Sequence, residues 1–358
     1  MTADRIRIAR FAAAVVLVVG AAYLFGWYIP QFYESTTTYL WAEAFYVGVA
    51  AMGLNLLTGY NGQVSIGHGA FFGLGMYTTA ILMESHDWPF LPTLFVAAAL
   101  AFVVGVLVGF PALRVKGLYL ALVTLGLAAL FPQLTNRFVP HDLCSTCGTS
   151  QVGELARVKL LPPSWTPTFI HQPDQWAYYA TLSIAVVGIV VLGFLVRSRF
   201  GRALIAVRDH EAAAETVGIN IARVKVLAFA TSAVYAGVAG SCFVLVNRLA
   251  NASSVSTFQL SIEFLVAVVI GGTATVVGPM LGGFVFVFSN RYISESFPNH
   301  LLFWHIDDSV KSLLSPAIFG IGLILLMYVL PDGIVGGSRR VGMSALRRLR
   351  RRTAPLST

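Results

Sequence analysis

The residues of this chain best suited to metal binding or redox chemistry are His141, Cys144 and Cys147, spaced three apart. Three such side chains could hold a zinc ion. In an extracytoplasmic loop, however, a C-x-x-C pair forms a disulfide more often than a metal site. We therefore predict a disulfide or two plain thiols here and no metal site.

No enzyme motif accompanies these residues. A P-loop requires Gly-Lys followed by Ser or Thr, and the dipeptide Gly-Lys does not occur in the chain. H-E-x-x-H, G-x-S-x-G and paired carboxylates within the apolar segments are also missing from the sequence. We predict a protein without catalytic residues and without a cofactor of its own.

A polar, glycine-rich stretch at 59–72 joins two apolar runs. Irregular backbone at membrane depth survives only where protein or a water-filled cavity surrounds it. Its polar side chains, with Asn55 just before, are candidates for a translocation path: Asn55, Gln63, Ser65 and His68. The alternative is a tight cytoplasmic loop with glycine-mediated helix packing.

A second glycine-broken stretch, 271–283, lies in the other half of the chain. Interrupted apolar segments in corresponding halves indicate a transport site near the midplane of the membrane. Gly271, Gly272 and Thr273 are therefore further path candidates. Glu263 is another, because an ionisable group within a span is a functional hypothesis by default. An interfacial, structural role for Glu263 is the alternative.

Between these stretches lies a polar segment, 199–220. Asp209 is expected to cap a short helix at 210–217 and Gly218 to end it. Such a helix is too polar to span a membrane and too short to be stable alone. It suits docking into a groove on a partner protein, or it is an ordinary loop helix.

Composition sets the frame for these elements. Of 358 residues 57% are hydrophobic and 11% charged, with a mean hydropathy of +0.76, whereas soluble domains carry about 25% charged residues. We predict an all-α polytopic integral membrane protein with about ten transmembrane segments and glycine-broken helices. The segments are expected near 11–29, 39–57, 64–84, 90–110, 117–136, 175–196, 225–247, 257–270, 274–292 and 312–331.

Basic residues set the expected orientation. With both termini in the cytoplasm, most of the 24 Lys and Arg fall inside, as the positive-inside rule requires. We expect one transmembrane domain over 1–338, with an extracytoplasmic loop at 137–174 and a cytoplasmic loop at 197–224. A basic cytoplasmic tail follows at 339–358. The net charge of +8 lies between apolar segments, which argues against nucleic-acid binding.

Several motifs together resemble the permeases of branched-chain amino-acid ABC importers, of the LivM type. They are Gly53–Leu57 leading into Gly62–Gly73, then Leu113–Gly126, Gly201–Asn220 and Ile270–Pro279. The resemblance covers residues 50 to 290 in family order. It implies a multi-pass protein of the bacterial plasma (inner) membrane that imports leucine, isoleucine and valine.

The resemblance also implies partners: the lipid bilayer, a second permease subunit in a heterodimer, two ABC ATPase subunits and an extracytoplasmic solute-binding protein. ATP and Mg²⁺ would be used by the ATPases, which explains the missing P-loop. The short helix is similar to the family's ATPase-coupling motif. The coupling residues are then Arg208, Asp209, Glu211, Ala212, Ala213, Glu215 and Gly218.

One departure bears on the substrate. Where many relatives carry a stretch with T-G-G, this chain has 142–153 with its two cysteines. The related urea and short-amide permeases are therefore an alternative. An ATPase-independent secondary transporter or channel is a further alternative, although it would have no need of a docking helix.

Overall fold

The computed structural model describes residues 35–112, 118–138, 173–248 and 257–296, together with short pieces at 20, 250, 300–301, 304–305 and between 320 and 337. The predicted first span at 11–29 lies outside the described residues apart from residue 20. The loop with Cys144 and Cys147 and the basic tail at 339–358 lie outside them entirely. So does much of the predicted last span.

The described part is helical apart from one pair of two-residue strands, as the all-α prediction requires. The helices are α1 Ser35–Asn55, α2 His68–Ser85, α3 Phe90–Ala112, α4 Leu118–Phe138, α5 Pro173–Arg197, α6 Arg199–Asp209, α7 Glu211–Thr216, α8 Ile221–Asn247, α9 Thr257–Gly271 and α10 Gly278–Ser296. The strands β1 His300–Leu301 and β2 Trp304–His305 pair antiparallel.

Four helical stretches of the described residues are long and apolar enough to cross a membrane: Thr36–Tyr60, Phe90–Pro111, Pro173–Arg197 and Ile221–Asn247. Tyr119–Thr135 and Phe258–Gly271 are apolar but shorter. The eight predicted spans between 39 and 292 each coincide with one helix, the last starting at Gly278 rather than at 274. A total of ten spans stays a prediction.

The bundle is built around α1 and α8. In their most apolar stretches 83% and 78% of residues are buried, against 28% for α3 and 39% for α5. Glycines let backbones meet at the centre: a Cβ on Gly75 of α2 would overlap the carbonyl of Gly237 in α8, and a Cβ on Gly240 would overlap that of Phe72. α3 instead exposes apolar side chains such as Phe95, 73% exposed, as a lipid-facing helix does.

Both glycine-rich stretches interrupt helices. α1 ends in a π-helical turn, Leu56–Tyr60, followed by Gly62 at φ +73° and an irregular segment to Gly67. The long apolar stretch from 258 to 290 is broken at its glycines as predicted, because α9 ends at Gly271 and α10 begins at Gly278. The hairpin between them contains Gly272 at φ +107°.

The predicted short helix is present as α7, but Asp209 does not cap it. Asp209 is the last residue of α6. His210 has extended backbone angles and is the N-cap, its Nδ1 accepting a hydrogen bond from the Ala213 N–H at 3.3 Å. Asp209 instead pairs with Arg208. An extended residue between two helices is the one whose side chain can turn back to the next helix's first turn.

Candidate functional site

The two glycine-broken stretches meet at Asn55. Its Nδ2 donates to the carbonyl of Thr275 at 2.7 Å, and its Oδ1 accepts from the backbone N–H of Ala274 at 2.9 Å. Asn55 is fully buried. Gly59 is required beside it, because a Cβ there would overlap both the Asn55 carboxamide and the Ala274 nitrogen. One side chain thus joins the end of α1 to the α9–α10 hairpin.

His68 ties three helices together. Ser232 of α8 donates its hydroxyl hydrogen to the carbonyl of Gly53 in α1 at 2.6 Å. That hydroxyl therefore accepts from His68 Nε2 of α2, also at 2.6 Å. All of these groups are buried. Ser65 is fully buried as well, and its Oγ accepts from the Gly67 N–H at 3.3 Å. This geometry gives both side chains a structural task.

Arg208 connects α6 to the π-helical turn. Its Nη1 donates to the carbonyl of Gly59 at 2.9 Å, while its Nε donates to Asp209 at 3.0 Å. A π-helical turn leaves carbonyls free of the regular α-helical ladder, and such turns occur often at functional sites. Arg208 and the Asn55 carboxamide therefore both lie against Gly59 of this turn.

Helix α7 is fastened to α8 by an ion pair. Lys225 Nζ lies 2.5 Å from Glu211 Oε1, and the Lys225 side chain is only 11% exposed. Of the coupling candidates, Glu211 is thus engaged within the chain rather than free for a partner. The role of Lys225 was not predicted from the sequence, where a single Lys near the start of an apolar span was the only signal.

The outer surface of α7 presents small side chains beside carboxylates. Ala214 is buried, whereas Ala212, Ala213 and Glu215 are exposed. Val217, just after the helix, is 74% exposed, and Gly218 follows at φ +83°. We call Ala212, Ala213, Thr216 and Val217 the docking face. Val217 was missed because it is apolar, and a sequence does not reveal which apolar residue lies outside the core.

A cavity of about 410 Å³ lies between α6, α7 and the segment after the π-helical turn. Gln63 lines it together with Arg208 and Glu211. The structure therefore groups Gln63 with the coupling residues and not with Asn55 or His68. We call the end of the bundle that carries Arg208, Arg223 and Lys225 the basic end.

The remaining path candidates separate into two places. Gly271 packs against Gly278, where a Cβ would overlap the Gly278 carbonyl, and Gly272 and exposed Thr273 follow in the hairpin. Glu263 accepts a hydrogen bond from Gln259 Nε2 at 3.1 Å, within α9. Eight residues of helix separate it from Gly271, about 12 Å along the axis. Glu263 is not part of the cluster around Asn55.

The sequence profile described as "Branched-chain amino acid transport system / permease component" matches residues 36–330. The chain belongs to this family. It is a transmembrane permease of that class, and the matched region covers α1 from its second residue and all of α2 to α10. The prediction drawn from the glycine-rich and coupling motifs is confirmed at the level of the family.

Curated relatives of this permease include the high-affinity branched-chain amino acid transport system permease protein LivM of Escherichia coli K12, 28% identical over 264 residues. That alignment covers 69% of this chain and 61% of LivM. LivH of Salmonella typhimurium is 25% identical over 306 residues, which cover 80% of this chain and 90% of LivH.

A shorter similarity links the permease to the ribose import permease protein RbsC of Haemophilus influenzae, 28% identical over 143 residues, or 38% of this chain and 39% of RbsC. No solved structure matches the permease significantly. Because the chain spans only about 61% of the length of LivM, substrate and partners do not carry over from these names alone.

Proposed function

We propose that this permease is the membrane subunit of an ATP-driven importer of leucine, isoleucine and valine in the bacterial plasma membrane. The observation that carries the proposal is the family match across 36–330. The relatives LivM and LivH are both named for branched-chain amino acid transport. The basic end faces the cytoplasm, as the positive-inside rule requires.

A second permease subunit, two ATPases and an extracytoplasmic binding protein complete the transporter. Similarity to both LivM and LivH supports a heterodimer, since those two names denote two permeases of one kind of system. The docking face supports an ATPase partner. Small exposed residues on a short helix allow the close approach of a groove on another protein, and a carrier that works alone has no use for them.

Movement of the ATPases reaches the membrane through contacts within this chain. A docked ATPase subunit contacts α7, and the Glu211–Lys225 ion pair transmits a displacement of α7 to α8. Arg208 passes it to the Gly59 carbonyl of the π-helical turn. Asn55, where that turn begins, holds the α9–α10 hairpin. A π-helical turn has a less regular hydrogen-bond ladder than an α-helix, so it is the segment expected to rearrange.

The chemistry of transport then needs no reacting group in this chain. ATP binding in the partner subunits shifts the permease pair from one conformation to another. The shift arises because the ATP-bound subunits bind one of the two conformations more tightly than the other. The hairpin at 272–277, held by Asn55, moves together with the π-helical turn. Half-helix ends and backbone carbonyls near it would contact the solute, as they do in other transporters with broken helices.

The test is uptake into proteoliposomes that hold this permease with its partner permease, both ATPases and the binding protein. ATP-dependent uptake of leucine or valine that excess urea does not inhibit is the expected result. ATP-dependent uptake of urea would overturn the substrate and keep the architecture. Uptake by this chain alone, unaffected by ATP, would overturn the importer assignment. A non-hydrolysable ATP analogue is the control for turnover.

A further inference from the structure

The cavity at the basic end is lined by coupling residues and also by Asn61 and Gln63, which the coupling mechanism does not use. Asn61 and Gln63 border it on one side, and Lys225 on the other. Val64 and Leu120 add apolar surface. Its volume, about 410 Å³, lies within the range of roughly 300–1,000 Å³ that small-molecule sites occupy.

Three buried side-chain atoms of Asn61 and Gln63 in this lining have no hydrogen-bond partner. Asn61 is 3% exposed, and neither its Nδ2 nor its Oδ1 makes a hydrogen bond. Gln63 Oε1 is buried and unpartnered as well. A buried polar group without a partner is unfavourable, so three such atoms beside one cavity point to a ligand. They offer one NH2 group, with two N–H donors, and two acceptor oxygens.

The charges of the lining balance. Arg208 pairs with Asp209 at 2.9 Å, and Lys225 pairs with Glu211 at 2.5 Å. A ligand with one net charge would meet a charge of its own sign. A zwitterion suits such a lining, because its carboxylate can face Lys225 while its ammonium group lies by the amide oxygens on the side of the Asp209 and Glu211 carboxylates.

We propose that this cavity is a second, cytoplasm-facing site for an apolar α-amino acid. The ammonium group donates to Asn61 Oδ1 and Gln63 Oε1, the carboxylate accepts from Asn61 Nδ2 and Lys225, and the side chain lies against Val64 and Leu120. The ligand is the transported solute after release, so this inference rests on the proposed function.

A bound amino acid would contact both the segment after the π-helical turn and the residues that fasten α7. It therefore holds α7 and the turn in one relative position and opposes the movement that transport requires. The consequence is product inhibition: leucine accumulated inside slows further uptake. The coupling free energies of such effects are about 1–3 kcal/mol, or roughly 5- to 150-fold in affinity.

The experiment compares initial ATP-dependent leucine uptake into proteoliposomes preloaded with leucine or with the same concentration of urea. Internal leucine is expected to reduce the unchanged transporter's rate at least about fivefold. In Asn61→Leu and Gln63→Leu, which remove the amide groups, the reduction should fall below about twofold. Arg223→Gln, an exposed change at the same end outside the cavity, should keep the full reduction.

Equilibrium dialysis of labelled leucine against the purified permease–ATPase complex without binding protein supplies a second readout, and Asn61→Leu should lose the bound label. Equal inhibition by internal leucine in all variants, or no inhibition in the unchanged transporter, would overturn the site. The proposed function would still stand in either case if the unchanged transporter takes up leucine with ATP. In Asn61→Cys, the thiol can be labelled with a water-soluble thiol reagent in the absence of any amino acid. If the docked ATPase alone blocks this labelling, a side chain of the ATPase fills the cavity and the site is overturned.

Discussion

The Asn55 carboxamide holds the backbone of Ala274 in a left-handed conformation: its Oδ1 accepts the Ala274 N–H at 2.9 Å, and the φ of Ala274 is +55°. Residues with a Cβ adopt this region at a cost of about 1–2 kcal/mol. The hairpin between α9 and α10 therefore keeps its shape through a side chain 219 residues away.

Replacing Asn55 by Ala should release that hairpin. The Ala274 N–H and the Thr275 carbonyl then lose their hydrogen-bond partner, which costs about 1–3 kcal/mol for each of the two groups. We expect a lower unfolding temperature and ATP-dependent uptake reduced at least about tenfold. Asn55→Asp should be tolerated no better than Asn55→Ala, because its buried carboxylate loses its hydration and faces the Thr275 carbonyl oxygen. Uptake by Asn55→Ala at the unchanged rate would contradict the connection.

Ala274→Gly tests the strain directly. Glycine adopts positive φ without penalty, so the free energy of unfolding should rise by up to about 1 kcal/mol. The same gain should disappear when φ is free to relax, as in the Asn55→Ala background. Thermal unfolding of the unchanged protein, the two single variants and the double variant gives the coupling energy between Asn55 and Ala274. A decrease in stability with glycine would show that the left-handed residue is not strained.

Reversing the charge at Glu211 should uncouple ATP hydrolysis from uptake. In Glu211→Arg the nearly buried Lys225 faces a like charge, so α7 separates from α8. Uptake should fall about tenfold, equivalent to ~1.4 kcal/mol, while the ATPase rate of the complex persists. The exchange Glu211→Lys with Lys225→Glu should recover most of the uptake. Failure of this exchange to rescue would mean that Glu211 contacts the ATPase instead.

Val217→Asp should weaken the hold of the ATPases on the permease. The side chain is 74% exposed, and substitutions at such positions change stability by less than about 0.5 kcal/mol. A carboxylate pressed into a protein groove loses its hydration without a partner. We expect the amount of ATPase that co-purifies to drop about tenfold, with Val217→Ala close to unchanged. Full retention in Val217→Asp would remove Val217 from the docking face.

His68→Ala separates a structural role from a transport role. Loss of the imidazole leaves Ser232 with one partner fewer and opens space in the core, at a cost of about 2 kcal/mol or more. Ser232→Ala should be similarly destabilising, because the Gly53 carbonyl also loses its donor. If both variants unfold at lower temperature yet share the solute KM of the unchanged protein, His68 is an anchor and does not touch the solute.

Much of the helix pattern could be predicted from the sequence, because an apolar run long enough to span a bilayer has few alternatives in lipid. The break at Gly271 and Gly278 followed for the same reason: an unbroken helix would exceed the hydrocarbon core. The end of α7 was equally local, because the helix stops at Thr216, two residues before Gly218, whose φ of +83° favours glycine.

Contacts between distant segments were beyond such reasoning. The sequence suggested that Asn55 and the 271–283 stretch serve one purpose, but only the tertiary structure joins Asn55 to Ala274. It likewise assigned Gln63 to the cavity at the basic end, engaged Glu211 with Lys225 and moved the cap from Asp209 to His210.

The division has one physical cause. Whether a segment is helical and apolar depends on neighbours within a few residues and on the surrounding solvent, and the sequence by itself determined both. Which carboxamide meets which backbone N–H depends on how α1, α8 and the broken α9–α10 pair pack, where glycines such as Gly75 and Gly240 allow backbones to touch. That packing is a property of the whole bundle, so only the tertiary structure decided it.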